Sequence, residues 1–230
     1  MNGGFPWRLA TVDIDGTLTL VHGWELFARQ TGRLEAYRYT QERFFRHEIG
    51  EDEHLRNLLD LATGLAGADV ARILAATPRL AGISEAVHEL QRRGCKVALL
   101  THNPRYVCDW YVREFGFDDS EGTDRTDLQG GRVAPPPPGT RADKAVGLDR
   151  LLKRLDRPRS ATVHVGDGWA DANIFPRVAG GVALNSRLQE VDAAADLRLK
   201  LSDLRPLVDA LAGLRPRRWV NDGQAAAEGL

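Results

Sequence analysis

Short apolar runs alternate along this chain with stretches of helical periodicity. Strands are predicted at residues 8–13, 95–100, 160–166 and 181–184, with 195–199 as a candidate fifth strand. Helices are predicted between them at residues 84–93, 104–115, 143–155 and 171–178. Apolar strands that alternate with helices are typical of a parallel sheet covered on both faces. We therefore expect an α/β fold with a Rossmann-like sheet, whose ligands bind beyond the carboxyl ends of the strands.

The stretch 20–80 interrupts this alternation, because its pattern is helical throughout. Helices are predicted there at residues 24–30, 34–48, 52–62 and 69–76. Aromatic residues of this stretch, Phe44 and Phe45 among them, are expected to form its own small core, with one or two facing a ligand. We expect a helical cap at 20–80, inserted into a core domain made of residues 1–19 and 81–213.

Two further segments lack a clear period. The acidic, glycine-rich stretch 117–134 predicts a small hairpin, and the proline run 135–138 predicts a stiff extended connector. The polar, alanine-rich tail 214–230 is expected to be loosely ordered.

Composition narrows the function classes. The 31 basic and 32 acidic residues nearly balance, so no polyanion-binding surface and no nucleic-acid partner are expected. Cys95 and Cys108 are expected to be buried free thiols. No signal peptide and no bilayer-spanning run is found, which predicts a cytoplasmic protein without a membrane partner; the pattern specifies no oligomeric state.

The most informative feature lies at the end of the first predicted strand. Asp13 and Asp15 are one residue apart there, so strand periodicity points both carboxylates the same way, and a glycine turn follows at once. Like charges this close resist joint ionisation unless a cation or a shared proton stabilises them. The pair predicts a metal site.

Other strand ends carry related chemistry. The second strand ends at Thr101, followed by His102 and by Asn103, which is expected to cap the next helix and so to help form an anion site. The third ends in Gly-Asp-Gly-Trp-Ala-Asp, which brings Asp167 and Asp171 to the same edge of the sheet. Lys144 opens the helix before that strand.

Each of these features alone has an ordinary structural reading: a capped helix, a common Asp-Gly turn, an exposed lysine. Their convergence at one end of one sheet is what favours a site. Carboxylate oxygens suit Mg²⁺, and no histidine or cysteine cluster indicates zinc.

The four segments, in this order, resemble the motifs of the haloacid dehalogenase superfamily, and most closely its phosphoserine-phosphatase-like branch. The resemblance spans nearly all of residues 8–212, and members of that branch carry a small cap between the first two motifs. It implies a magnesium-dependent phosphatase that acts through an aspartyl-phosphate on a small phosphorylated metabolite.

Site residues follow from the same resemblance. It implies that Asp13 is the nucleophile, that Asp15 is the general acid and base, and that Thr101 and Lys144 contact the phosphate. Magnesium would be bound by Asp13, Asp167 and the backbone carbonyl of Asp15, with Asp171 close by. The expected substrate contacts are Gly16, Thr17, His22, Trp24, His102 and Asn103.

The chain departs from phosphoserine phosphatases where those enzymes hold the amino acid. A cap glutamate of theirs corresponds to His22 and a cap arginine to Leu58, although Glu25 or Arg56 could compensate from a shifted register. Phosphoserine is therefore a minority expectation, and His22, Trp24 and His102 are candidates for a different leaving group. A phosphotransferase of the same mechanism stays open, and a phospho-receiver or a catalytically silent phosphate-binding protein is the alternative from another class.

Overall fold

The computed structural model describes residues 4–122, 127–141 and 143–217. Six strands form one sheet: β1 (Leu9–Val12), β2 (Lys96–Thr101), β3 (Asp119–Gly122), β6 (Thr162–Gly166), β7 (Gly180–Leu184) and β8 (Leu197–Leu199). Their spatial order is β3-β2-β1-β6-β7-β8, and every neighbouring pair is parallel. A separate antiparallel pair is formed by β4 (Leu128–Gln129) and β5 (Arg132–Val133).

Helices cover this sheet and fill the stretch after β1. Four of them follow β1 directly: α1 (Gly23–Gln30), α2 (Leu34–Phe45), α3 (Glu51–Asp60) and α4 (Gly67–Ala76). The others are α5 (Ile83–Arg92), α6 (Arg105–Phe115), α7 (Lys144–Leu155), α8 (Trp169–Ala172), α9 (Gln189–Ala194) and α10 (Pro206–Gly213). The predicted α/β class with a parallel sheet flanked by helices is confirmed.

The central strands are mainly apolar because both faces of the sheet are covered. In β2, Val97 and Leu99 face a core that includes residues of α5, α6 and α10. The alternate residues, Ala98 and Leu100, face a second core built with Leu148 and other residues of α7. Period-two alternation therefore places successive side chains in different cores, which explains the unbroken apolar pattern.

One strand was hidden in the segment predicted to be a hairpin. Residues 119–122 form the edge strand β3, while only 128–133 make the small antiparallel pair. The prediction was incomplete because β3 reads Asp-Ser-Glu-Gly and has no apolar side chain to show a period. Its acidic residues are instead paired with α7, where Arg154 bonds Asp119 at 2.8 Å.

Two helical predictions were also wrong. The helix expected at 171–178 is the short α8 followed by a 3₁₀ turn at Phe175–Arg177. Pro176 lies in that turn, and in an α-helix its ring would clash with the preceding turn. The helix expected to reach residue 48 ends at Phe45, a residue that is 58% exposed and so does not belong to a core.

The remaining predictions on chain organisation have mixed outcomes. Cys95 and Cys108 are buried and free, as expected. Of the tail, Leu214 packs on the core and the Arg217 N–H donates to the Ala179 carbonyl at 2.8 Å, whereas 218–230 lie outside the described residues. Within the described ranges no helix is long and apolar enough to cross a membrane.

The strand order creates a crevice beside β1. From β1 the chain builds outward through β2 and β3, then crosses back to β6 on the other side of β1 and continues to β7 and β8. In such sheets, loops at the carboxyl ends diverge where the direction of winding changes, and ligands bind there. The segments after β1, β2 and β6 carry most of the candidate residues, and Lys144 begins α7.

Candidate active site

One cavity of about 240 Å³ lies at these strand ends. It is lined by ten of the residues predicted from sequence: Asp13, Asp15, His22, Trp24, Thr101, His102, Asn103, Lys144, Asp167 and Asp171. The structure thus brings together side chains from segments far apart in the chain. Gly16 and Thr17 are not among the lining residues, but both contact Asp167.

Lys144 joins the carboxylates that follow two different strands. Its Nζ lies 2.9 Å from Asp13 Oδ1 and 2.6 Å from Asp171 Oδ1, and its side chain is only 4% exposed. Burial by itself favours the neutral amine, but the two carboxylates outweigh it and hold the pKa of Lys144 above its ordinary value. The lysine is therefore a fixed positive charge on the cavity floor.

Asp171 is held on all sides by protein donors. Besides Lys144, its Oδ1 contacts His164 Nε2 at 2.9 Å, and its Oδ2 accepts from the backbone N–H groups of Asp167 at 3.1 Å and Gly168 at 2.9 Å. Burial would raise the pKa of Asp171, but Lys144 and His164 keep it well below the ordinary range. The residue orients the lysine and the loop that carries Asp167.

His164 was missed by the sequence interpretation. It lies in β6, is fully buried, and its Nδ1 is 2.8 Å from Thr11 Oγ1 in β1. A histidine within a strand buried on both faces requires a polar partner, and that was the available signal. His164 thus connects Thr11 to Asp171, and through Asp171 to Lys144.

Asp167 is packed tightly against the first motif. The Thr17 hydroxyl donates to its Oδ1 at 2.7 Å, and Ser186 donates to its backbone carbonyl at 2.7 Å. Gly16 has φ of 84°, and a Cβ there would overlap the Asp167 carboxylate, so this turn requires glycine. Burial, then the charges of Asp171 and Asp13, raise the pKa of Asp167 well above its ordinary value.

The three aspartates form a cluster suited to a divalent cation. Asp13, Asp167 and Asp171 each offer a carboxylate oxygen within 4.8 Å of the others. Burial raises the pKa of Asp13 as well, although Lys144 opposes that shift, so one lysine does not compensate the cluster. An oxygen-only donor set with surplus negative charge fits Mg²⁺. Asp171 already has both oxygens engaged, which favours Asp13 and Asp167 as direct ligands.

Asp15 faces a different part of the cavity. Its Oδ1 accepts from the backbone N–H of Gly23 at 2.7 Å, and its Oδ2 accepts from Asn103 Nδ2 at 3.0 Å. Asn103 Nδ2 also lies 3.0 Å from Thr101 Oγ1. The expectation that Asn103 caps the next helix is wrong: the cap position of α6 is Pro104, and the amide instead connects Asp15 to the end of β2.

The upper wall of the cavity comes from α1, α2 and α3. Its lining residues there are His22, Trp24, Gln41, Phe44, Phe45, Glu51, His54, Leu55 and Leu58. Trp169, the first residue of α8, packs its ring 6.1 Å from that of Phe44 and 5.9 Å from that of Phe45. The sequence interpretation missed His54, Glu51 and Trp169; the available signal for His54 was a histidine directly beside the apolar stripe of α3.

Two histidines that line the cavity, one in the upper wall and one after β2, are held neutral. Burial lowers the pKa of His54 to about 4 and that of His102 to about 3. Because an unfolded histidine titrates near 6.5, the unfolded chain binds more protons below that pH, and these groups favour the fold fully above it and progressively less as the pH falls.

We therefore expect the free energy of unfolding to decrease between pH 7.5 and 5.0, by about 1–2 kcal/mol for each of the two histidines after allowance for solvent screening. Urea unfolding of the native chain and of a His54→Gln/His102→Gln variant at both pH values checks this. Equal pH dependence in the two proteins would contradict it.

Comparison with known proteins agrees with the geometry. A family model described as haloacid dehalogenase-like hydrolase matches residues 7–175. The chain is 28% identical over 183 residues to a phosphoserine phosphatase of Archaeoglobus fulgidus, covering 78% of this chain and 53% of that protein. It is 27% identical over 184 residues to a phosphoserine phosphatase of Streptomyces coelicolor, covering 78% of this chain and 44% of that protein. The chain thus spans about half the length of these two relatives.

A solved structure extends the similarity over the whole fold. The crystal structure of phosphoserine phosphatase from T. onnurineus in complex with NDSB-201 superposes with a TM-score of 0.65 at 26% identity, covering 94% of this chain and 99% of that one. The family model itself covers more than half of the chain. This chain therefore belongs to the haloacid dehalogenase-like hydrolase family, in its phosphoserine-phosphatase-like branch.

Proposed function

We propose that this protein is a magnesium-dependent phosphatase that hydrolyses a small phosphomonoester through an aspartyl-phosphate on Asp13. The observation that carries the proposal is the position of Asp13 on the cavity floor, held by a buried lysine that is fixed in turn by Asp171. A carboxylate oriented in this way can attack phosphorus and divide one difficult displacement into two easier ones.

In the first step, a carboxylate oxygen of Asp13 bonds to phosphorus and the ester P–O bond breaks. Asp15, protonated at this stage, gives its proton to the departing alkoxide. In the second step, water attacks the phosphorus, Asp15 takes the proton, and the bond to Asp13 breaks to release inorganic phosphate. The bonds from Gly23 and Asn103 hold the Asp15 carboxylate in place for both transfers.

Charge neutralisation must supply much of the acceleration. Hydrolysis of phosphate monoesters requires rate enhancements of up to ~10²¹, whereas one positioned acid or base contributes about 10² to 10⁴. Lys144 and the Thr101 hydroxyl would bind phosphoryl oxygens, and Asp13, Asp167 and the Asp15 carbonyl would hold the metal. When bound, magnesium neutralises charge on the phosphoryl group and orients it. Asp171 would act through Lys144 and the loop.

Helices α1–α4 would serve as the cap. The chain enters and leaves them through adjacent segments: Leu20 N–H donates to the Pro78 carbonyl at 2.9 Å, and Leu80 N–H donates to the Leu18 carbonyl at 2.9 Å. This paired crossing supports a division into a core of 1–19 and 81–213 and a cap of 20–80. The cap would exclude bulk water and contact the leaving group.

The proposal predicts magnesium-dependent release of phosphate from a generic aryl ester such as p-nitrophenyl phosphate. We expect release that stops when EDTA is added and returns when excess Mg²⁺ is restored, since the acidic cluster is not compensated by Lys144 alone. The measurement is inorganic phosphate against time, with and without chelator. Binding of phosphate without turnover would indicate the receiver or scaffold alternative instead.

A further inference from the structure

The upper wall of the cavity offers no cation to a substrate carboxylate. Among the lining residues of the described structure, Lys144 is the only lysine or arginine, and it is engaged by Asp13 and Asp171. Arg56 and Glu25, the two residues that could replace the cap arginine and the cap glutamate from a shifted register, lie outside the cavity. Arg56 donates to the Thr140 carbonyl at 3.4 Å, and Glu25 pairs with Arg29 at 2.6 Å; neither lines the cavity.

Leu58, which corresponds to the cap arginine of phosphoserine phosphatases, makes the upper wall apolar at that position. Leu58 lines the cavity together with Leu55 from the same helix, and Trp24 and Phe44 add aromatic surface from α1 and α2. A carboxylate placed against this wall would lose its hydration and gain no ion pair. An amino-acid leaving group is therefore disfavoured.

Glu51 adds a negative charge to the same wall. Its Oε1 is 3.8 Å from His102 Nδ1, and its side chain is 42% exposed at the rim. Glu51 could attract an ammonium group, but it would repel a carboxylate on the same substrate. A zwitterion would thus satisfy at most one of its two charges here.

Three imidazole nitrogens of residues that line the cavity have no hydrogen-bond partner within the described structure. His22 Nδ1, His54 Nδ1 and His102 Nε2 are buried and make no hydrogen bond within the described structure. His54 is only 9% exposed. A hydrogen bond between its ring and the Thr40 backbone orients the ring. Buried polar atoms are nearly always hydrogen-bonded, so unpartnered ones on residues that line a cavity point to a ligand that satisfies them after a small rotation of the ring.

The chemistry of these nitrogens limits the ligand. Since burial lowers the pKa values of His54 and His102 to about 4 and about 3, both rings are neutral near pH 7 and bind hydroxyl groups without demanding a charge. The His54 ring stacks on Phe44 with centroids 4.2 Å apart and planes 8° apart. Flat aromatic surface beside neutral hydrogen-bonding groups suits a ring that carries hydroxyls.

We propose that the leaving group selected by this cavity is an uncharged, ring-containing alcohol with free hydroxyl groups, as in the monophosphate of a sugar, a cyclic polyol or a nucleoside. The hydroxyls would pair with His22, His54 and His102, and a ring face would pack on the aromatic wall. This inference rests on the proposed phosphatase function and specifies its substrate class.

The test compares kcat/KM in the presence of Mg²⁺ over a panel of monophosphates. The panel contains sugar, cyclic-polyol and nucleoside esters, phosphoserine, an amino-alcohol ester, a cycloalkyl ester without hydroxyls, and p-nitrophenyl phosphate. We expect the best hydroxylated ring ester to exceed phosphoserine, the amino-alcohol ester and the cycloalkyl ester by at least about 10-fold, because a site built for hydroxyls discriminates against ligands that lack them. If any of these three is hydrolysed as well as the best ring ester, the inference is overturned while the phosphatase function stands. If no ester is hydrolysed, p-nitrophenyl phosphate included, both are overturned.

A matched set of variants tests the histidines directly. His54→Phe keeps an aromatic ring on Phe44 but removes the nitrogens, so KM for the best ring ester should increase at least about 10-fold with little change in kcat, while the cycloalkyl ester is unaffected. His22→Phe, on another element, should act in the same direction if the first variant fails to fold. His88→Gln changes an exposed histidine of α5 and is the control. A loss that is equal for both esters would assign the histidines to structure alone and overturn the inference.

Discussion

Asp13→Asn is expected to abolish turnover while the protein remains folded. The amide oxygen of asparagine is a poor nucleophile at phosphorus, so the covalent step is lost; removal of a nucleophile in comparable systems lowers kcat by about 10⁴-fold or more. The fold should persist because asparagine has nearly the same volume and Lys144 keeps its 2.6 Å contact with Asp171. The measurement is steady-state release of phosphate from p-nitrophenyl phosphate, with urea unfolding of the same sample.

Asp15→Asn provides the informative comparison. That variant keeps the nucleophile but cannot activate water, and an aryl ester has a leaving group good enough to depart without an acid. We therefore expect acid-quenched Asp15→Asn to carry the mass of one phosphoryl group, and Asp13→Asn to carry none. Asp209→Asn, whose side chain is 87% exposed, controls for a change of one surface charge. Steady-state turnover by Asp13→Asn, once contaminants and deamidation are excluded, would refute the assignment of the nucleophile.

The strand-end chemistry was accessible from sequence because it depends on short-range geometry. Asp13 and Asp15 directly follow β1, and the parallel-sheet rule is enough to place them at the edge that also receives Thr101 and Asp167, although the two carboxylates face different parts of the cavity. Lys144 was assigned through the family resemblance, because a lysine at a helix start is by itself more often exposed. These residues line one cavity, although their catalytic roles stay predictions until they are tested.

The features that the sequence did not predict, β3 and part of the cavity wall, depend on contacts between distant segments. The edge strand β3 consists of polar residues and exists because it hydrogen-bonds to β2 and its acidic side chains meet α7, neither of which appears in a local pattern. The wall of the cavity is similar: His54 and Trp169 are far apart in the chain, and each reaches Phe44 only because α2 packs against both α3 and the start of α8. Local periodicity carries no information on such tertiary contacts.

Lys144→Met is the second change with a large expected effect. It leaves Asp13 and Asp171 buried beside each other without their shared cation, and removing one partner of a buried ion pair costs about 3–5 kcal/mol. We expect a loss of that order in the free energy of unfolding at pH 7.5 without metal, together with loss of turnover because the phosphoryl charge is no longer neutralised. Urea unfolding and phosphate release measure the two effects.

Lys96→Met is the matched control for this prediction. Lys96 also pairs with an aspartate at 2.6 Å, but its side chain is 46% exposed, and exposed pairs of this kind contribute only about 0–1 kcal/mol. The same substitution at the same pair distance should therefore be several-fold more costly at residue 144. Comparable losses in the two variants would mean that burial does not strengthen the dependence on Lys144.

A double variant separates the cost of the orphaned carboxylate from the loss of packing. Adding Asp171→Asn to Lys144→Met removes one of the two buried charges, so part of the lost stability should return, while turnover stays low because Lys144 is still absent. His164 would then face an amide instead of a carboxylate across the 2.9 Å contact, which limits the recovery. The contrary result is that Asp171→Asn lowers the free energy of unfolding as much in the Lys144→Met background as it does alone. The two residues would then act independently, and the buried network around Asp13 would not be a single unit.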